Sequence, residues 1–425
     1  MKHTLFFLCV FLIFIGQIQG QQFFAGVAVR DITPQQLIPV SGGMGTPIMP
    51  EKYLGKLTAR ALVLKKGKTK IAIVSIDNLG WPAYLGNRSR KLVADFPPEN
   101  IIIGVTHTHS APDAYGFVDE NGNTGASLEY LNWCVHQIAG AITNAEENLQ
   151  PAYVKSVVAE AKGKIAYNYY APQLYDTRMG VIQFLLKNSK NKEKPIATLI
   201  NYATHPEILG TKAKVISPDL CGPLYERVEE KGGGTAIFMN SAQGGMVTAD
   251  NRLADGNEAS DWNECIRIGN LMADEALRII EPADKQENPQ LYCASKMVDF
   301  PVENEAMRFI FEHSPVAKIS AKEVSDFSTV SAQINLLNIG KVQVLTIPGE
   351  ALPNIGFYIK RNMKTEQPFL FGLTNDAFGY ILTKEDFNSF ERYNYITRTS
   401  LGETTGEILE KATLNLVEEC PAADE

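Results

Sequence analysis

Histidines stand at the ends of predicted strands in this chain, where they could bind a metal ion. His107 and His109 follow the apolar run 101–105, and His205 follows the run 196–202. Both runs have the composition of β-strands. In α/β sheets, ligand sites gather at the carboxyl ends of strands, and neutral imidazole is a good ligand for zinc. The sequence therefore predicts a zinc site around His107 and His205.

The two histidines of the His-x-His motif could share one site. If the strand continued through the motif, His107 and His109 would point to the same face, one as a ligand and the other toward a substrate. A pair of hydrogen-bonded turn histidines explains the motif equally well when it is taken alone. Two other histidines are interpreted differently: His136 as a core or supporting residue of a predicted helix, and His313 as a surface residue.

Two further candidate residues also follow predicted strands. Glu350 comes after the strand 342–347 and a Pro-Gly turn, and Tyr380 comes after the strand 369–373. A carboxylate at such a position can bind zinc or serve as a general base. Taken alone, these residues would be interpreted as a solvated turn glutamate and a core tyrosine. Their repeated placement at strand ends makes them candidates for the same site.

The sequence lacks the motifs of several other catalytic systems. It contains no G-x-S-x-G elbow, no H-E-x-x-H helix, no Walker loop and no G-x-G-x-x-G after a strand. Ser241 lies in a small-residue loop, but the glycines around it are wrongly placed for a nucleophile elbow. A serine nucleophile is therefore not expected.

Predicted strands and helices alternate along the chain, which indicates an α/β fold. The expected architecture is one or more central mixed β-sheets flanked by helices, with the metal site at strand ends. Residues 21–425 are expected to form one zinc hydrolase catalytic domain. Within it, the polar and weakly patterned stretch 283–330 is a candidate excursion or subdomain joint. Helices are predicted over residues 86–96, 129–149, 265–280 and 402–418.

Composition and charge exclude some classes of protein. The 425 residues are 45% hydrophobic, and Lys and Arg total 40 against 48 for Asp and Glu, a formal charge of -8. Because no basic stripe occurs, nucleic acid is not an expected partner. Residues 1–20 have the polar start, the uncharged apolar run Leu5–Ile15 and the small-residue exit of a signal peptide. We expect export to the periplasm or the medium, with at most peripheral membrane contact and an undefined oligomeric state.

Seven short motifs resemble the catalytic domain of neutral ceramidases. They occur in the same order as in that family, between about residues 24 and 418, and this shared order is specific although each motif is short. The motifs are Gly26-Val-Ala-Val-Arg-Asp-Ile-Thr-Pro34, Thr106-His-Thr-His-Ser-Ala-Pro112, Asn201-Tyr-Ala-Thr-His-Pro206, Ile216-Ser-Pro-Asp219, Asn240-Ser-Ala-Gln-Gly-Gly245, Pro348-Gly-Glu350 and Gly379-Tyr-Ile-Leu-Thr-Lys-Glu-Asp386.

The resemblance implies a zinc amidase that cleaves the N-acyl bond of ceramide into sphingosine and a fatty acid. By position, His107, His205, Glu350 and Tyr380 would be the zinc ligands, and His109 would stabilise the oxyanion. Zinc lowers the pKa of its water to about 7 and polarises a carbonyl, so the bound water would attack the amide carbon. Glu350 would also assist proton transfer to the departing amine.

Two features depart from the family pattern. Tyr169 stands where the family has an arginine near the substrate carbonyl, and Arg178 is a candidate to replace that cation. Full-length ceramidases carry a C-terminal β-sandwich domain, which is not expected after the last predicted helix of this chain. Two alternatives therefore stay open. One is a hydrolase of the same scaffold acting on another amide or ester, such as an N-acylated sugar or a non-sphingoid lipid. The other is a non-catalytic binding protein.

Overall fold

A computed structural model describes residues 21–43, 45–118, 122–187, 193–319 and 327–424. The predicted signal peptide lies outside these residues. Among the described helices, none is both long and apolar enough to cross a membrane.

The larger β-sheet is mixed and has nine strands. Strand Thr69–Ile76 pairs in parallel with Ile101–Val105, strand Pro195–Tyr202 pairs in parallel with Thr235–Asn240, and the other main pairs are antiparallel. In spatial order the strands are β13 (Thr235–Asn240), β11 (Pro195–Tyr202), β10 (Arg178–Leu186), β8 (Gln150–Glu160), β1 (Phe23–Asp31), β4 (Thr58–Lys66), β5 (Thr69–Ile76) and β6 (Ile101–Val105), with β15 (Lys285–Gln286) beside β8.

A second, four-stranded sheet packs against the first. Its strands are, in order, β16 (Leu291–Pro301), β17 (Thr329–Ile339), β18 (Val342–Thr346) and β20 (Gln367–Phe371). Four further two-stranded pairs are β2 (Val40–Ser41) with β7 (Ala111–Pro112), β3 (Lys52–Tyr53) with β12 (Val215–Ile216), β9 (Ala166–Asn168) with β14 (Val247–Ala249), and β19 (Glu350–Ala351) with β21 (Tyr380–Ile381).

Several helices begin at a capping residue or a proline. Ser127 and Asp261 accept hydrogen bonds from the first turns of α2 and α4, and Pro353 begins α6. The helices are α1 (Ala83–Lys91), α2 (Leu128–Glu147), α3 (Cys221–Glu230), α4 (Trp262–Ile280), α5 (Glu305–His313), α6 (Pro353–Asn362), α7 (Asn394–Arg398) and α8 (Thr405–Glu419). Short 3-10 turns lie at Pro98–Asn100, Thr211–Ala213, Ala317–Ile319 and Glu391–Tyr393.

The two sheets form the centre of a four-layer α/β/β/α arrangement. Alternate residues of a strand point to opposite faces, so in β5 Ile71 and Ile73 pack between the sheets while Val74 and Ile76 pack under the helices. Helices α1 to α4 cover the outer face of the larger sheet, and α6 and α8 cover the outer face of the second. The prediction of an α/β fold with mixed sheets flanked by helices is confirmed.

Several elements differ from the sequence-based expectation. The first helix spans Ala83–Lys91 rather than 86–96, because the chain turns out of it at Leu92. The strands β8, β10, β16 and β17 were not predicted. The stretch 283–330 supplies β15, β16 and α5. Strand β16 pairs with β17 in an antiparallel register in which Leu291 lies opposite Ile339 and Pro301 lies opposite Thr329. Because β16 is an edge strand with many exposed residues, its sequence lacks the apolar alternation of a buried strand.

The packing between the two sheets predicts a large stability effect at Phe369. This fully buried side chain lies in the core between the sheets. We expect Phe369→Ala to lower the free energy of unfolding by about 3–5 kcal/mol, measured by urea denaturation. Phe390→Ala is the control, since that ring is 49% exposed, and should cost less than about 0.5 kcal/mol. Equal effects of the two substitutions would contradict the layered core.

Candidate metal centre

His107 lies directly after β6 in a left-handed backbone conformation, with φ of 72°. The strand ends at Val105, so strand alternation does not orient the His-x-His motif as the sequence had suggested. The His107 backbone N–H donates to the Asn78 carbonyl at 3.0 Å, and its Nδ1–H donates to the Leu79 carbonyl at 2.5 Å. Positive φ is rare for a side chain of this size and marks sites where the surroundings impose the conformation.

His205 is fixed in the same manner at the end of β11. Its backbone N–H and its Nδ1–H both donate to the Val247 carbonyl, at 2.9 and 2.7 Å. Since a carbonyl oxygen can only accept, Nδ1 carries the hydrogen in both His107 and His205, and each Nε2 is free to bind a metal.

Glu350 and Tyr380 reach the site from the two-stranded pair of β19 and β21, which follow strands β18 and β20 of the second sheet along the chain. They are direct neighbours in the parallel pair of β19 and β21, and the Glu350 backbone N–H donates to the Gly379 carbonyl at 2.9 Å. The Tyr380 hydroxyl donates to Met246 Sδ at 2.9 Å. All four side chains expected as ligands therefore lie at one junction between the two sheets.

The Glu350 carboxylate faces both imidazoles closely. Its Oε2 lies 3.0 Å from His205 Nε2 and 3.5 Å from His107 Nε2. Ligand atoms of a tetrahedral zinc with bonds of about 2.0–2.1 Å are about 3.3 Å apart, so the spacing fits. Two imidazole lone pairs that face a carboxylate in a buried site repel it unless a proton or a cation lies between them. The set of two nitrogens and one oxygen suits zinc.

His109 joins the same cluster from the other side. The candidate ligand atoms of His107, His109 and His205 all lie within 4.8 Å of one another. The Nδ1 atom of His109 faces the Glu207 carboxylate at 3.5 Å. Its Nε2 is buried and has no hydrogen-bond partner among the described residues. His109 is therefore either a further ligand or a group that faces the substrate.

Burial and neighbouring charges set the pKa values of these groups. Burial lowers the pKa of His109 to about 3 although Glu207 opposes the shift, so the ring is neutral at pH 7. Burial also acts to lower the pKa of His205, but the hydrogen bond to Glu350 and the negative charges of Glu207 and Glu350 together outweigh it and raise that pKa to about 9. Burial acts to raise the pKa of Glu350, yet His107 and His205 hold it well below its usual range. Burial and the Glu350 charge raise the pKa of Tyr380.

A small apolar pocket opens over the metal-binding atoms. It encloses about 60 Å³, and His107, His109, Glu350 and Tyr380 form its floor. Helix α5 closes one side of the pocket with three of its side chains. The apolar walls include Tyr115, Phe117, Met307, Ile310, Phe311 and Phe378.

Several residues of the site were missed or misplaced by sequence reasoning. Glu207 lies two residues after His205, a spacing that could have indicated it. The α5 wall was missed because it belongs to the weakly patterned stretch 283–330. His136 is exposed on α2, so its interpretation as a core or supporting residue is wrong, whereas His313 is exposed as expected.

The expected replacement for the family arginine is not at the pocket. Arg178 is held by Asp176 through two hydrogen bonds of 2.8 and 2.9 Å and does not line the pocket. Tyr169 is 63% exposed and lies beside the site, next to Met246. Among the described residues that line the pocket, none is a lysine or an arginine.

Comparison with known proteins identifies the fold. No protein-family model and no curated protein matches the sequence. Among solved structures, the chain is similar to a neutral ceramidase from Pseudomonas aeruginosa, with a TM-score of 0.74 and 17% identity over 95% of this chain and 76% of that one. A second solved structure, a ceramidase complexed with C2, has a TM-score of 0.74 and 16% identity, over 95% of this chain and 77% of that one. The chain therefore has the neutral ceramidase fold, in agreement with the resemblance of its motifs.

The raised pKa of His205 predicts how zinc affinity depends on pH. In the metal-free protein His205 keeps its second proton up to about pH 9, and zinc must displace that proton. We expect the apparent zinc affinity to rise about tenfold per pH unit between the ordinary histidine pKa and pH 9, and to level off above it. Calorimetry in two buffers of different ionisation enthalpy measures the released proton. Zinc binding without proton release would contradict the assignment of His205 as a protonated residue that zinc must displace a proton from.

Proposed function

We propose that this protein is an exported, zinc-dependent amidohydrolase that cleaves the N-acyl amide of a ceramide-like substrate into an amine and a carboxylic acid. The observation that carries the proposal is the placement of Glu350 Oε2 at 3.0 and 3.5 Å from two imidazole nitrogens, on the floor of an apolar pocket. The similar structure from Pseudomonas aeruginosa is a neutral ceramidase, which supports ceramide as the first substrate to test. The signal-like residues 1–20 support export.

His107, His205, Glu350 and Tyr380 would hold the zinc ion. When bound, zinc supplies Lewis-acid polarisation of the scissile carbonyl and acidifies water. The protein's part is to fix the ligands: the Leu79 and Val247 carbonyls set the tautomer and the ring plane of the two histidines. The site's burial keeps bulk water away from the reacting amide.

His109 and Glu350 would act on protons. The Glu207 carboxylate favours the hydrogen of neutral His109 on Nδ1, which leaves the buried Nε2 as an acceptor that orients a water molecule. The resemblance assigns His109 to the carbonyl oxygen instead, and that role needs the other tautomer. Glu350, facing the pocket, is placed to pass a proton to the departing amine.

A second candidate is a hydrolase of the same scaffold that acts on a different amide or an ester. The small volume of the apolar pocket, about 60 Å³, favours this candidate, because pockets that take small molecules usually have about 300 Å³ or more. A long acyl chain would require α5 to move. A non-catalytic binding protein is the third candidate, and it gives no reason for four potential ligands on one pocket floor.

Chelator-sensitive release of fatty acid tests the proposal. Purified mature protein should cleave a fluorescent short-chain ceramide, and a chelator should abolish the turnover. His107→Ala should lower kcat/KM at least about a hundredfold through loss of the metal. His136→Ala, which changes an exposed histidine on α2, should retain both zinc and activity.

The possible outcomes separate the three candidates. Turnover lost in His107→Ala supports the ceramidase-type reaction. A zinc-loaded protein that is inert toward ceramides but cleaves other N-acyl amides or esters selects the second candidate. A protein that binds no zinc and cleaves none of them would overturn the hydrolase altogether.

A further inference from the structure

A second concave surface adjoins the metal centre, and we call it the polar groove. It encloses about 260 Å³, close to the lower limit of about 300 Å³ for pockets that take small molecules. Two contacts connect it to the metal centre: Glu207 faces His109 at 3.5 Å, and Met246 accepts the hydrogen bond of Tyr380. Its polar and aromatic walls are formed by Tyr167, Tyr169, Glu207, Asn251, Glu258 and Ser260.

The charge of the polar groove is negative. It contains the carboxylates of Glu207 and Glu258, and none of its described lining residues is a lysine or an arginine. Arg252 lies at its edge over the Tyr167 ring, but two hydrogen bonds of 2.8 Å tie it to Asp250. An anionic ligand would be repelled here, whereas an ammonium group or a neutral polyol would be bound.

The two concave surfaces divide the parts of an amide substrate between them. Amide hydrolysis requires the acyl part on one side of the reacting carbon and the amine part on the other. The apolar pocket has the lining for an acyl group, and the polar groove has donors and acceptors for hydroxyl groups. The product amine is cationic at neutral pH, which suits the Glu207 side of the groove.

The outer wall of the polar groove makes a long alkyl tail a poor fit. The groove-lining residues of this exposed wall are Glu258 and Ser260, on a loop that also carries Asp255, Asn257 and exposed Leu253. An alkyl chain that leaves the groove across this wall would contact the Glu258 carboxylate and the Ser260 hydroxyl. Exposed Tyr169, in contrast, offers an aromatic face to the C–H surface of a sugar ring.

We propose that the polar groove binds the amine part of the substrate, and that this part is a compact hydroxylated amine of the amino-sugar type. The inference rests on the proposed amide hydrolysis, and within it favours the second candidate, an amide other than ceramide. It assigns Tyr169, in the place of the family arginine, to contact with a neutral or cationic ring.

Three amides that share an acetyl group test the substrate class. They are N-acetylglucosamine, the acetyl amide of sphingosine and N-hexylacetamide, each assayed with the zinc-loaded protein. We expect the highest kcat/KM for the amino-sugar amide. Tyr169→Ala and Glu258→Gln should raise its KM about tenfold, the effect of losing one good contact, with little change in kcat. Both variants should leave N-hexylacetamide within about twofold of the wild type.

Matched controls and a direct binding measurement make the test independent of turnover. Glu385→Gln, at an exposed glutamate away from the groove, should change none of the three reactions. Calorimetry with glucosamine should detect binding to the wild type that is weakened about tenfold in Tyr169→Ala and Glu258→Gln.

Each result decides a separate question. A higher kcat/KM for the sphingosine amide than for the amino-sugar amide would overturn the inference. An equal loss of kcat/KM on all three amides in the groove variants would also overturn it. Neither result would contradict the proposed amide hydrolysis. Chelator-insensitive or absent turnover of every amide would overturn the proposed function. In that case, glucosamine binding that is unaffected by Tyr169→Ala would overturn the groove assignment as well.

Discussion

The structure depends on one electrostatic constraint: a buried carboxylate oxygen is held against the Nε2 atoms of two imidazoles whose Nδ1–H groups are already used. The Leu79 and Val247 carbonyls accept from the Nδ1–H groups of His107 and His205, so each neutral ring turns a lone pair toward Glu350 and donates to it only after taking up a second proton. An uncompensated buried charge costs several kcal/mol. The raised pKa of His205 is the response of the metal-free site, in which a proton takes the position that a cation would otherwise hold.

The positions of the ligands depend on the four-layer fold, because the ligands come from different layers of it. Strands β6 and β11 of the larger sheet lead into His107 and His205. The small pair of β19 and β21, which follow strands β18 and β20 of the second sheet along the chain, carries Glu350 and Tyr380. Packing between the sheets therefore controls the distances between ligand atoms. One ligand, His107, is also held in the left-handed conformation by its surroundings.

The sequence indicated the residues at the strand ends better than it indicated the walls around them. His107, His205 and Glu350 follow strands whose apolar composition is plain, so their convergence could be anticipated from the rule that strand ends gather ligands. The α5 wall could not be anticipated, because it belongs to a stretch without regular periodicity, and Glu207 was missed although it lies only two residues after His205. The turn that orients the His-x-His motif was also hidden, since positive φ at a histidine has no sequence signature.

Anomalous diffraction at the zinc absorption edge, from crystals of the zinc-loaded protein, tests the central claim most directly. The account predicts one strong peak within about 2.0–2.2 Å of His107 Nε2, His205 Nε2 and Glu350 Oε2. A peak that is coordinated by His109 with Glu350 unbound, or the absence of any peak at this junction of the two sheets, would contradict it.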